Sequence, residues 1–314
     1  MTILQHTIET PYMVGPVHCY TMEARGELVL FDTGPPTDHA RTYLRENIDL
    51  KSLRHVIITH CHIDHYGLAS WLEEETEATI YLPYRDALKI NRYETRMEEM
   101  NLFLRGIGFG RDYLAELRRI FESGLIFPPP PKRFRIIEDD LPGHLEIGFL
   151  SCPGHSQSDM VLTSNDWAVS GDVLLRGIFQ SPLLDIDLQT GERFRNYDVY
   201  CDTLVKLATL RRRRVMPGHR ERIESVDATI LFYITKMLER VVQLHPYADD
   251  ENIARIIEGL FDKNMNETFL IYLKASEIVF MKDFLENPDR LRAALVAIGL
   301  FDAVAPQFQD AAGN

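Results

Sequence analysis

The chain has no surplus of positive charge; over its 314 residues the formal net charge is −13. A surface that grips phosphates needs a basic face, so this balance counts against a nucleic-acid substrate. There are only four cysteines, Cys19, Cys61, Cys152 and Cys201, too scattered for any C-x-x-C pair. They read as free thiols in a reducing compartment, which sets a disulfide framework aside. No apolar stretch approaches the roughly 20 residues that a membrane span requires. The opening "MTILQHTIETPY" lacks both a basic n-region and an apolar h-region. No signal peptide is therefore expected, and the expected location is cytoplasmic. Internal repeats are missing, and the only biased tract is Pro128–Pro131.

What is present is ample core material, with 45% apolar residues. "VHCYTM" and "LVLFDTG" read as strands joined by the polar turn "EARGE". "TDHARTYLRENI" has helical spacing, with Thr37 or Asp38 as its cap. "HVIIT" is a continuous β-branched run, expected of a strand buried on both faces. "GLASWLEEE" opens a helix and "ATIYLP" is another strand. From Arg85 to about Phe127 the texture is helical and amphipathic, ending at the prolines. The β-rich rhythm then returns in "RFRIIEDD", "HLEIGFLSC", "DMVLTS" and "WAVSGD", so 85–131 reads as an insertion into one domain. A helix, "YDVYCDTLVKLATL", precedes the strand-like "RRVMPGH", and Arg211–Arg214 reads as a solvated helix end. The expected division is a catalytic domain over 1–223 and a helical region over 224–314.

The chemistry concentrates in "THCHIDH", which places His60, His62, Asp64 and His65 at the end of a buried strand. Imidazoles and a carboxylate converging there make a ligand set for a divalent transition metal. Three further stations follow β-like runs beside glycine: His155 in "CPGHS", Asp172 in "SGD" and His219 in "MPGH". Glycine at such turns lets the backbone approach a site closely. Five histidines and two aspartates suffice for two metals with one carboxylate between them. Cys61 alternates with the two histidines and reads as a buried thiol. His6, His18, His39, His55, His144 and His245 lie in none of these stations and read as surface or packing residues.

These stations in order, after the leading "LFDTG", resemble the metallo-β-lactamase superfamily over roughly residues 12 to 222. The resemblance implies an α/β fold, an αββα sandwich, here with a helical insertion and a helical C-terminal region. It implies that His60, His62 and His155 bind one metal, that Asp64, His65 and His219 bind a second, and that Asp172 bridges them. Asp32 in "FDTG" would support the site from behind. Position 220, usually glycine in the family's "PGHG", is Arg220 here. It would meet an anionic substrate group or pair with an acidic neighbour.

Two divalent ions, zinc first and iron or manganese admissible, lower the pKa of a shared water towards neutrality. Asp64 is placed to pass a proton to the leaving group, with Asp172 as the second catalytic carboxylate. The expected reaction is hydrolysis of an ester, thioester or lactone of a small, partly apolar substrate, as in glyoxalase II-like thioesterases and the lactonases. Three alternatives stay open: a single-iron persulfide dioxygenase, a phosphodiesterase or nuclease, and a silent scaffold. Tyr197 and Tyr200 either donate to an oxyanion or pack a helix against a sheet. The insertion, with Phe103 and Phe109, is expected to form a lid and an apolar wall over the metals. The C-terminal helices would pack over the core, line the entrance or form a homodimer interface.

Overall fold

Two sheets stand at the centre of the computed structural model, which describes residues 2–124, 128–261 and 267–313. The first contains β1 (Ile3–Ile8), β2 (Val17–Ala24), β3 (Glu27–Phe31), β4 (Leu53–Ile57), β5 (Thr79–Leu82) and β6 (Arg135–Ile136), in sequence order. β1 to β3 are antiparallel and β3 to β6 parallel. Arg25 and Gly26 both take positive φ at the β2–β3 turn, the geometry whose twist suits a two-residue hairpin. The second sheet holds β7 (Gly148–Ser151), β8 (Met160–Thr163), β9 (Trp167–Gly171) and, beyond the short hairpin β10 (Ile186–Asp187)–β11 (Glu192–Arg193), β12 (Arg214–Pro217). Its order is β12-β9-β8-β7.

Period-two alternation sends alternate side chains to opposite faces of each sheet. Phe31, Ile57 and Tyr81 from the first sheet meet Leu162, Trp167 and Val169 from the second in a shared inner layer. Leu30, Val56 and Ile80 face outward under α1 (Asp38–Asn47), α2 (Ile63–Tyr66) and α3 (Ala69–Glu75). Thr37 caps α1 by accepting from the Ala40 amide at 3.2 Å. On the far side α8 (Asn196–Ala208) covers the second sheet, which completes the αββα order.

The insertion contributes α4 (Tyr84–Asn91), α5 (Tyr93–Gly106) and α6 (Arg111–Glu122), with the bend falling at the glycines 106, 108 and 110. Phe127, the expected end of the helical texture, lies outside the described residues. The C-terminal region forms α9 (Val226–Leu244), α10 (Ile253–Leu260), α11 (Thr268–Glu286), α12 (Pro288–Ala297) and α13 (Ala305–Ala312). Met97, Leu104 and Phe121 of the insertion share one apolar core with Leu204 of α8 and with Ile234 and Phe280. Among the described residues no helix is long and apolar enough to cross a membrane.

Three local expectations are corrected. "RFRIIEDD" supplies only the two residues of β6 before α7 (Ile137–Asp140), because the Asp140 carboxylate accepts from the Ile136 amide and turns the chain. "HLEIGFLSC" begins as a short 3₁₀ turn over Gly143–Leu145, held by the buried Leu145, and becomes strand only at Gly148. Arg211–Arg214 lies beyond α8 and Arg214 opens β12, while Arg211 pairs with Asp227 at 2.7 Å.

Candidate metal centre

Every station sits where a strand stops. The chain leaves β4 into the stretch carrying His60 and His62, and α2 then presents Asp64 and His65. His155 lies in the loop after β7, Asp172 follows β9 directly and His219 follows β12. Loops from both sheets thus meet at one edge. Gly218 is needed for close approach, because a Cβ there would fall 2.5 Å from His65 Cε1 and 2.6 Å from Asp172 Oδ1. Gly171 has φ +49, and its missing Cβ would lie 2.7 Å from Thr59 Oγ1.

The seven side chains form two adjoining groups. His62 Nδ1 lies 2.9 Å from His60 Nε2 and 3.0 Å from His155 Nε2. In the other group His219 Nε2 lies 3.2 Å from Asp64 Oδ2, and His65 completes it. Asp172 stands between, with Oδ1 3.2 Å from His65 Nε2 and Oδ2 3.8 Å from His155 Nε2.

Outer contacts fix the rings. His65 Nδ1 donates to Asp32 Oδ2 at 2.8 Å, His155 Nδ1 to the Ser181 carbonyl at 2.8 Å, and His219 Nδ1 to the Pro16 carbonyl at 2.7 Å. Asp32 also accepts from the Thr59 amide and hydroxyl, and that hydroxyl lies 3.1 Å from His60 Nδ1. With the outer nitrogens donating, the Nε2 lone pairs point inward, the arrangement a metal-binding imidazole requires. His65 Nε2, His219 Nε2 and Asp172 Oδ1 are buried and make no well-aligned hydrogen bond, although carboxylate oxygens lie 3.2 Å from both nitrogens. Buried polar atoms are rarely left so, and a cation satisfies all three together. The donor set fits divalent metal.

The electrostatics separate the two groups: the His60 side stays neutral, while the carboxylates draw positive charge to the His65 side. Burial and the neighbouring His65 and His62 hold the His60 pKa well below its usual value, which keeps that ring neutral. Burial opposes a charge on His65, but Asp172, Asp32 and Asp64 outweigh it and raise its pKa well above normal. Burial likewise opposes a charged Asp172, yet His219 and His65 hold its carboxyl well below the usual range.

A cavity of about 580 Å³ opens above these residues. From the insertion, Lys89, Arg96, Ile120 and Phe121 wall it; Phe103 and Phe109 do not. Phe109 is buried and stacks on Tyr113 at 4.6 Å, and Phe103 packs against the shared core beneath Arg193. Helix α6, rather than α5 and the bend after it, turns apolar side chains of the insertion to the cavity. Tyr197 and Tyr200 also lie outside the cavity. Tyr197 donates to the Asn287 carbonyl at 2.9 Å, and Tyr200 packs against Tyr233 and Phe280. Arg220 is exposed, its side chain makes no ion pair among the described residues, and its φ of +65 explains why glycine suits this position. Its carbonyl accepts from His18 Nε2 at 2.7 Å. Cys61 is buried, as expected, but sits in the cavity wall.

Sequence reasoning missed two contributions. Tyr12, in the loop before β2, lines the cavity, and burial together with Asp64 pushes its hydroxyl up to about 12. The C-terminal helices hold the loop that bears Ser181. Tyr233 donates to the Gln180 carbonyl at 3.0 Å, Ser181 donates to Glu277 at 2.7 Å, and Tyr272 donates to the Leu184 carbonyl. Phe269, Tyr272 and Leu273 of α11 also reach the cavity. A single aromatic in irregular chain, and contacts between residues so distant in sequence, leave no local signal.

Residues 12–219 match the sequence profile described as the metallo-beta-lactamase superfamily. The probable metallo-hydrolase YqjP of Bacillus subtilis (strain 168) is 26% identical over 304 residues, covering 90% of this chain and 92% of that protein. A ribonuclease Z of Anoxybacillus flavithermus (strain DSM 21510 / WK1) is 31% identical over 158 residues, covering 45% of this chain and 48% of that one. The crystal structure of a beta-lactamase domain protein from Burkholderia ambifaria superposes with a TM-score of 0.70 at 18% identity, covering 90% of this chain and 86% of that one.

Proposed function

This chain belongs to the metallo-beta-lactamase superfamily of metal-dependent hydrolases, and from that premise we propose that it cleaves an ester, thioester or lactone of a small, partly apolar substrate. Within the superfamily we place it with the glyoxalase II-like and lactonase-like branch. His60, His62 and His155 would hold one divalent ion, zinc first, and Asp64, His65 and His219 another, with Asp172 shared. When bound, such a pair supplies Lewis acidity towards a carbonyl and a water acidified towards neutrality. The chain's own residues do the rest. Asp32, Ser181 and Pro16 keep three ring tautomers fixed, and the Asp64 carboxylate is placed to carry a proton to the leaving group.

The cavity wall carries this reading. Ile120, Phe121, Phe179 and Phe269 offer apolar surface. The two cations in the wall are already neutralised, Lys89 by Asp86 and Arg96 by Asp185. Such a wall suits an acyl or aromatic group better than a phosphate backbone, which weighs against the phosphodiesterase reading that the ribonuclease Z relative suggests. The second ligand group, Asp64, His65 and His219, offers a place for the second ion that a two-metal hydrolase uses.

Protein purified without a chelating column should carry about two metal equivalents by elemental analysis. In a panel of esters, thioesters, lactones, phosphodiesters and persulfides, one of the first three should be turned over best. Ile120→Ala with Phe121→Ala should weaken long-chain or aromatic acyl substrates far more than acetyl analogues. Preference for phosphodiesters, or one iron with oxygen uptake on a persulfide, overturns the proposal.

A further inference from the structure

We propose that Glu27, His55 and His144 form a separate site for one divalent cation, at the end of the first sheet away from the candidate metal centre. The three residues are far apart in sequence. Glu27 opens β3, His55 lies within β4, and His144 sits on the 3₁₀ turn before β7. β3 and β4 run parallel, so Asp32 and His60 mark their other ends.

One carboxylate oxygen, Glu27 Oε2, accepts from His55 Nε2 at 2.9 Å and from His144 Nε2 at 2.8 Å. The ligand atoms all lie within 4.8 Å of one another, and the two rings are 6.4 Å apart at 65°. Two imidazole nitrogens and one carboxylate oxygen, each from a different element, are a donor set for zinc, cobalt or nickel. The placement is not made by the histidines alone. Leu145, next to His144, is fully buried in the layer between the sheets and fixes the turn. His55 Nδ1 lies 3.3 Å from the Tyr81 hydroxyl. A proton on Nδ1 directed there leaves Nε2 as a lone pair, the outer-contact arrangement of a metal-binding histidine.

The site is half open. The His55 side chain is 10% exposed, while Glu27 is 38% and His144 56% exposed, so water has access to complete the coordination. Tetrahedral bonds of about 2.0–2.1 Å place neighbouring donors about 3.3–3.4 Å apart. The present contacts would therefore open by about half an ångström, which the exposed His144 can supply. On binding, the cation takes the place of the two Nε2 protons. Each proton moves to Nδ1 of its own ring or leaves to solvent.

The rival is a clamp in which the histidines only tie the turn to the sheet edge. The test uses the full-length protein with the metals it carries when purified. It is dialysed against micromolar free Zn²⁺ or Co²⁺, with metal counted per chain and the Co²⁺ absorption titrated. Wild type should bind one equivalent more than Glu27→Gln or His144→Ala, and the corresponding titration phase should weaken by at least about tenfold. Turnover by the candidate metal centre should stay at the wild-type level in both variants. Identical stoichiometry and identical titrations in wild type and both variants overturn the site. If Glu27→Gln does not fold, His144→Ala, on an exposed turn, decides between site and clamp by the same two measurements.

Discussion

Replacing Arg96 by methionine tests how the insertion is locked to the wall of the candidate metal centre. Arg96 on α5 is 6% exposed and Asp185 4% exposed. Arg96 Nε donates to Asp185 Oδ1 at 2.7 Å and Nη2 to Oδ2 at 3.1 Å, a two-pronged pair. Unit charges about 4 Å apart attract by about 4 kcal/mol at an effective dielectric constant of about 20. Desolvating the two ions costs several kcal/mol each and cancels much of that gain. The intact pair is therefore worth little net, while removing one partner strands a buried charge at a cost of about 3–5 kcal/mol. In Arg96→Met, Asp185 keeps Gln157 Nε2 at 2.8 Å and Lys89 Nζ at 4.0 Å, which argues for the low end, about 3 kcal/mol. The double variant Arg96→Met/Asp185→Leu should lose less than the two single losses added, with a coupling of at least about 2 kcal/mol. Urea unfolding at fixed metal concentration measures all three. Burial opposes the charge on Asp185, but Arg96 and Lys89 outweigh it and depress its carboxyl. A depressed carboxyl stabilises fully above its unfolded-state pKa of about 3.9, and that stability is lost as pH falls through the folded value. The gap between wild type and Arg96→Met should therefore narrow in acid. A single-variant loss under about 1 kcal/mol, or additive losses, would refute the reasoning.

Asp32→Asn should leave the fold in place while metal affinity drops about 10–100-fold, because the residue orients His65 and, through Thr59, His60. Competition with a chromogenic chelator reads this, and unchanged affinity would sink the orienting role. Glu73 accepts from the Lys132 and Arg133 amides at 2.6 and 2.8 Å and so ties the chain after the prolines to α3. Burial raises its carboxyl, but these amides and the Arg133 side chain outweigh that and depress it. Glu73→Gln should cost about 1–3 kcal/mol at neutral pH, and the deficit should shrink as pH falls through the folded carboxyl pKa. An equal deficit at about pH 3 and about pH 7 would show that the charge is not what holds the segment.

The layering was legible because continuous apolar runs such as "HVIIT" have few other places to go than a doubly covered strand. The ligand stations were legible because each joins ligand chemistry to a turn signal within a few residues. The cavity wall was not. Amphipathic spacing tells that a helix has an apolar face but not which neighbour that face meets, so Phe103 and Phe109 were indistinguishable from Ile120 and Phe121. Tyr197 posed the same difficulty, since its hydroxyl partner, the Asn287 carbonyl, lies on a segment 90 residues away. The Glu27 cluster was invisible for a different reason. His55 and His144 each look solitary in sequence, and only the pairing of β3 with β4 and the packing of Leu145 bring them together.

The seven residues of the candidate metal centre hang from strand ends, whereas much of the wall comes from α6, α11 and the loop around Phe179. The two parts are built from different elements of the fold. Phe121 and Phe269 line the cavity and are not among the seven, so a substitution there changes the wall and not the ligand set. Drift in the helices can therefore explore new substrates while the chemical step is conserved, and a descendant that changes its diet need not reinvent its reaction. The reverse does not hold, since the Ser181 carbonyl orients His155 and the Ser181 side chain is held by Glu277 of α11. At that joint a change in the wall is also a change at the candidate metal centre.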